Sequence, residues 1–223
     1  PPSFSSSASI RKTTNPNSCV ALTDTRSITL TVPSRLSDEV ILARFMKGYF
    51  GGWVFTPERS VLRVWRPDIV RFSSMLESRF NSLDLLYCIF VPSMEHIGLK
   101  SYPVPLRIWS ASELSEDRLL PMHTMLFGVF QVIDKKLEIQ SDDNRTHSYI
   151  DVAFGSDTSS FAGVHRFSVY RPTHLPTSPA TGAGTTEIEI EYPSTACNPI
   201  RDQSLTGVLV PFHRFYAMIL FRE

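Results

Sequence analysis

Cysteine is scarce in this 223-residue chain: Cys19, Cys88 and Cys197, with no Cys-x-x-Cys pair among them. An odd and scattered count argues against a disulfide framework and points to free thiols in a cytoplasmic protein. An excess of either charge is also lacking. Lys plus Arg total 22, and so do Asp plus Glu. The sequence therefore has neither the basic surplus with which nucleic-acid binders neutralise phosphates nor a polybasic membrane anchor. The longest apolar run, Leu85 to Val91, falls well short of the roughly 20 residues a spanning helix needs, so no membrane span is expected. The Ser-rich opening, Pro1 to Ser9, has no apolar centre of the kind a signal peptide carries. Glycine is limited to 10 residues. None falls in a Gly-x-x-x-x-Gly-Lys-Ser/Thr loop, a Gly-x-Gly-x-x-Gly turn or a Gly-x-Ser-x-Gly elbow, and His-Glu-x-x-His is absent as well. The six histidines lack ligand spacing. Neither a metal nor an organic cofactor is expected.

What is present is the material for a core. Hydrophobic residues make up 42% and charged residues 20% of the chain, and a domain of this size buries about 70% of its unfolded surface. Residues 1–19, rich in Ser, Thr, Pro and Asn, read as a flexible lead to a single domain over 20–223. Ile28 to Val32 alternate apolar and polar, the pattern of a half-buried strand. Ser37 reads as an N-cap before Asp38 and Glu39, with Ile41, Leu42, Phe45, Met46 and Tyr49 at helical spacing and Gly51-Gly52 as a stop. Thr56-Pro57-Glu58 opens a second helix, which Pro67 ends. The period then changes to two, giving candidate strands at 84–91, 102–109, 122–134, 148–154, 163–171 and 186–192, with a turn-rich loop over 172–185. From Pro211 the spacing of Phe212, Phe215, Tyr216, Ile219 and Leu220 predicts an apolar, largely buried helix.

Few residues speak of chemistry. Glu187, Glu189 and Glu191 share one strand face about 6.7 Å apart. Such a pair could flank a glycosidic bond, but a solvated outer face explains it more simply. His165 shares parity with Phe167 and Val169, so it faces the core if they do. A buried histidine is either a general base or a hydrogen-bonded packing residue. His123 and Asp151, on neighbouring strands, are the candidate partners for a coupled acid/base pair. Cys197 would need a basic neighbour to act as a nucleophile.

The stretch from Val152-Ala153-Phe154-Gly155 through Gly163 to Val169, Glu187 to Tyr192 and Phe212-His213-Arg214-Phe215-Tyr216 resembles the helix-grip fold of the START-like and birch-pollen-allergen-like superfamily. The preceding chain resembles it by element order alone. The resemblance implies an α+β fold: a curved antiparallel sheet wrapped around a long C-terminal helix, with two short helices near the N-terminus. It also implies a cavity for a hydrophobic small molecule. The expected function is a cofactor-independent enzyme of cyclase or isomerase type, or else a non-catalytic carrier of a lipid- or polyketide-like ligand. The superfamily shares no catalytic motif, so the residues come from the strand parity itself. His165, His123, Asp151 and Tyr216 are the expected catalytic groups, with Tyr216 donating to an oxyanion. Phe167, Val169, Phe212 and Tyr192 are the expected ligand-lining groups.

Overall fold

The computed structural model describes residues 4–73, 106–140, 144–173, 184–205 and 209–222, the side chains of 209–214 apart. The expected strand at 84–91, most of the 172–185 loop, Cys88 and the Phe212 side chain lie outside the described residues.

The architecture is α+β. Strands β1 (Ala21–Pro33), β2 (Arg107–Ile108), β3 (Met125–Leu126), β4 (Phe130–Gln140), β5 (Arg145–Gly155), β6 (Ala162–Pro172) and β7 (Thr185–Cys197) form one curled seven-stranded sheet in the order β1-β7-β6-β5-β4-β3-β2. All pairs are antiparallel except the short β2–β3 pair. The predicted single strand at 122–134 is instead two strands. Phe127 and Gly128 take left-handed backbone angles and turn the chain between them. A side chain at Gly128 would collide with the Pro67 carbonyl at 1.7 Å, so this turn requires glycine.

Helices α1 (Asp38–Gly51) and α2 (Thr56–Trp65) fall where their start and stop signals place them. The Ser37 side chain accepts from the Val40 amide, capping α1. Asp38 does more than favour the helix dipole. It is buried, accepts from Ser148 Oγ at 2.7 Å and Arg171 Nε at 3.0 Å, and so fixes the start of α1 to β5 and β6. Thr56 does not cap α2, because its hydroxyl donates back to the Gly52 carbonyl at 2.9 Å.

The helix seated on the inner face of the sheet is α1, which packs on β4, β5 and β6. Its Leu42, Met46, Tyr49 and Phe50 join Ile150, Val152, Phe167, Val169, Ile188 and Tyr192 in the main core. The C-terminal helix α3 (Leu209–Arg222) has 14 residues, the length of α1, and packs on α1 and β1. The expected long C-terminal helix gripped by the sheet is thus replaced by two short ones. Ala217 and Leu220 reach the core, whereas Phe215 is 58% exposed.

Residues 4–19, read above as a flexible lead, cover the convex face. A 3-10 turn at Phe4–Ser6 and a π-helical stretch at Ser9–Thr14 bury Ser7, Ser9, Ile10, Thr13 and Thr14. Ile10 joins a second core with Val70, Phe72, Met125, Ile133, Ala153, Ala162 and Val164. The polar composition concealed this role because only one large aliphatic side chain carries it.

Candidate functional site

On β6 the inner-facing residues are His165, Phe167 and Val169, as parity predicts, and all three are buried. Register aligns Val152 of β5 with His165, His165 with Ser194 of β7, and Ser194 with Asp24 of β1. One step along, Tyr192 lies opposite Arg26. From the helix side Tyr49 of α1 reaches the same point. The hydroxyls of Tyr192 and Tyr49 are 2.6 Å apart, and Tyr192 meets Nδ1 of His165 at 2.7 Å.

The three groups form a continuous hydrogen-bonded chain inside an aromatic wall. The His165 ring lies 4.6 Å from that of Phe154 and 5.4 Å from that of Tyr192. Phe45 and Phe167 pack edge to face beside them, at 4.9 Å. Burial pushes the Tyr49 and Tyr192 phenols well above their ordinary range, so both remain protonated at neutral pH. A phenol and an imidazole can run the chain in either sense. Nδ1–H donates to Tyr192 and Tyr192 to Tyr49, or Tyr49 donates to Tyr192 and Tyr192 to a bare Nδ1. Reversal therefore exchanges the protonated ring nitrogen.

At the sheet edge Asp24 and Arg26 form an ion pair at 2.6 Å, with side-chain exposures of 29% and 23%. These partly open groups bring charge close to Tyr192: Arg26 favours its ionised form and Asp24 opposes it. Ile28 and Leu30, on the same face and opposite Ile190 and Ile188, are 47% and 38% exposed. The inner face is thus closed over β6 and part-open at β1.

The remaining expected residues go elsewhere. Asp151 lies on the convex face, opposite Arg166, and forms no pair with His165. The parity of β5 forbids that pairing, since Val152 and not Asp151 shares the row of His165. Asp151 accepts from Arg166 Nε at 2.6 Å and Nη2 at 2.8 Å, and from Ser9 Oγ. Burial pushes its carboxyl up while the guanidinium opposes that shift. Arg166, of opposite parity to His165, faces the convex side beneath residues 4–19, stacked on the Tyr149 ring at 3.9 Å. Tyr216 is directed to α2, donating to Glu58 Oε2 at 3.1 Å and to the Val54 carbonyl. The hydroxyls beside His165 are those of Tyr49 and Tyr192. His123 occupies the turn before β3 at a φ of 65°, held by Val132 and Gln131, and Val132 takes its place in the row of His165. Glu187, Glu189 and Glu191 lie on the outer face, where Glu189 pairs with Arg145 at 2.9 Å. Cys197 is buried, its thiol pushed up to about 11 by burial and by Cys19.

Tyr49, Ser194, Asp24 and Arg26 were not singled out from sequence. Tyr49 carried a usable signal, a hydroxyl on the apolar stripe of α1. The two charges hid the first half of β1, because they break the alternation on its inward side.

A cleft of about 400 Å³ lies away from this chain, lined by Arg35, Ser37, Asp38, Glu138, Arg171 and Thr186 among others. Among the described residues no cluster of His, Cys, Asp or Glu could hold a metal ion, and no helix is long and apolar enough to cross a membrane. Set against known family models, curated proteins and solved structures, the chain matches none of them.

Proposed function

We propose that the inner face of the curled sheet binds a hydrophobic small molecule, in the manner of a helix-grip fold, and that the Tyr49–Tyr192–His165 chain handles protons on it. The observation behind this reading is an unbroken line of two phenols and an imidazole, flanked by aromatic rings within an apolar interior. Such a line has little value for packing, since each buried hydroxyl must find a partner to offset its desolvation. It has direct value for cofactor-independent chemistry. In a cyclase- or isomerase-type step, His165 takes a proton from carbon or oxygen. A protonated Tyr49 or Tyr192 donates to the oxyanion that develops. The expected donor Tyr216 yields this place to the two tyrosines. Entry is from the β1 edge, past Ile28 and Leu30, with outward movement of α3, whose Phe221 ring lies 5.9 Å from Phe45 and 6.1 Å from Tyr192.

A second reading, a carrier without catalysis, draws on the hydrogen bonds described for the buried chain, which join two phenols and an imidazole and involve no carboxylate among the described residues. One tyrosine hydroxyl would then fix the polar end of a lipid- or polyketide-like guest.

Native mass spectrometry of freshly purified protein tests the shared claim: a co-purifying hydrophobic compound is expected. His165→Gln and Tyr192→Phe then separate the readings. Loss of turnover of that compound with retained binding supports the enzyme, and loss of binding without any turnover in the parent supports the carrier. Protein that emerges empty and takes up neither fatty acids nor aromatic polyketides overturns both.

A further inference from the structure

Two buried thiols lie near one another on the convex face, close enough for Cys19 to act on the Cys197 thiol. Cys197 ends β7 with its side chain outward, and Ala21, the first residue of β1, lies opposite it. Cys19 is two residues earlier, where Asn15 clamps both its amide and its carbonyl at 2.8 Å. The two thiols cross between segments. Cys19 Sγ donates to the Pro199 carbonyl, beyond β7, at 3.6 Å. Cys197 Sγ donates to the Thr14 carbonyl, in the N-terminal segment, at 3.7 Å. Each sulfur therefore points into the chain that carries the other.

We propose that Cys19 and Cys197 are a redox pair, and that their oxidation to a disulfide locks the N-terminal segment onto the end of β7. Cys19 sits just outside the paired ladder, after Ser18 at a left-handed φ of 55°, so movement of the 15–19 turn is the step that brings the α-carbons within bridging range. Cys19 is buried, at 9% exposure against 2% for Cys197, but its neighbours Pro16, Asn17, Ser18 and Val20 are exposed, so opening of this turn bares the Cys19 thiol to an oxidant before that of Cys197.

The oxidant class is a low-molecular-weight disulfide such as glutathione disulfide. The Cys19 thiolate attacks one of its sulfurs, the S–S bond breaks and one glutathione thiolate leaves. The Cys197 thiolate then attacks the Cys19 sulfur and expels the second. The protein loses two protons and two electrons, and the oxidant becomes two thiols. The burial that holds Cys197 near 11 makes the second exchange the slow one and accelerates it with rising pH.

The test uses folded full-length Cys88→Ser protein incubated with glutathione disulfide, followed by intact mass and peptide mapping. A mass lower by two hydrogens, a peptide joining Cys19 to Cys197, and closure that quickens about tenfold per pH unit below 9 are expected. The same treatment of the Cys88→Ser, Cys197→Ala chain should stop at one glutathione on Cys19. Two mixed disulfides, or thiols left unmodified where urea-unfolded protein does close the bridge, overturn the proposal.

Discussion

Replacing Asp151 by Leu leaves the Arg166 guanidinium in the convex-face core without its counter-charge. Side-chain exposure is 5% for Arg166 and 0% for Asp151, so water cannot take over the lost bonds. The carboxylate accepts two bonds from Arg166 and one from Ser9. Removing one partner of such a buried pair costs about 3–5 kcal/mol, because an uncompensated charge remains. Asp151→Leu should therefore cost that much in urea unfolding followed by tryptophan fluorescence, with an unchanged slope. Part of the loss reflects release of the Ser9 turn. The double variant Asp151→Leu, Arg166→Met should recover most of it, since it exchanges the pair for apolar side chains of similar size. A single variant costing less than about 1 kcal/mol would show that Arg166 reaches solvent. A double variant as unstable as the single would show that the pair contributes net stability rather than mutual compensation.

His147 sets a pH dependence. Burial, with Arg166 nearby, depresses it from 6.5 to about 4, and it is stacked on Tyr170 at 4.2 Å. Between those two values the unfolded chain holds the proton and the folded chain does not. Its contribution should be whole above pH 6.5 and fall by about 2 kcal/mol as the pH drops towards 4, after allowance for screening. His147→Asn should flatten that slope, as equilibrium unfolding at several pH values will check. Tyr192→Phe removes the hydroxyl that joins Tyr49 to His165 and should cost about 1–3 kcal/mol in a chemical denaturation midpoint, against a smaller loss for Tyr49→Phe at the end of the chain. Leu220→Ala, at 3% exposure, should cost about 2–5 kcal/mol. Phe215→Ala on the same helix should stay within about 0.5 kcal/mol, and equal losses would refute the orientation of α3.

The helices and the central strands were legible because each carried its own punctuation. Ser37 and Gly51-Gly52 bound α1, and strict alternation from Thr186 to Tyr192 set both the strand and the outward face of its glutamates. His165 was placed by parity alone. What sequence could not supply was pairing between distant strands. Asp151 and His165 read as neighbours because both lie on adjacent β-strands, yet a one-residue offset in register puts them on opposite faces. The same limit left the Tyr49 hydroxyl, visible on the apolar stripe of α1, without an assigned partner until Tyr192 arrives from the far end of the chain. The N-terminal segment misled for another reason. Its anchoring is by polar side chains with only Ile10 and Phe4 as large apolar groups, which composition does not distinguish from a solvated tail.

The pairing of β1 with β7 also governs the order in which this molecule can be assembled. Ala21 lies opposite Cys197 and Pro33 opposite Thr185, so the first strand made has its partner among the last. During synthesis β1 has no strand partner among the described residues until β7 has emerged, while β4 to β7 can zip as a local meander. Joining the two closes a very long loop, an event whose entropy cost must be met before its contacts form. The edge carrying Asp24 and Arg26 is accordingly the last part of the inner face to exist, and a chain truncated before β7 leaves β1 as an unpaired strand open to intermolecular pairing.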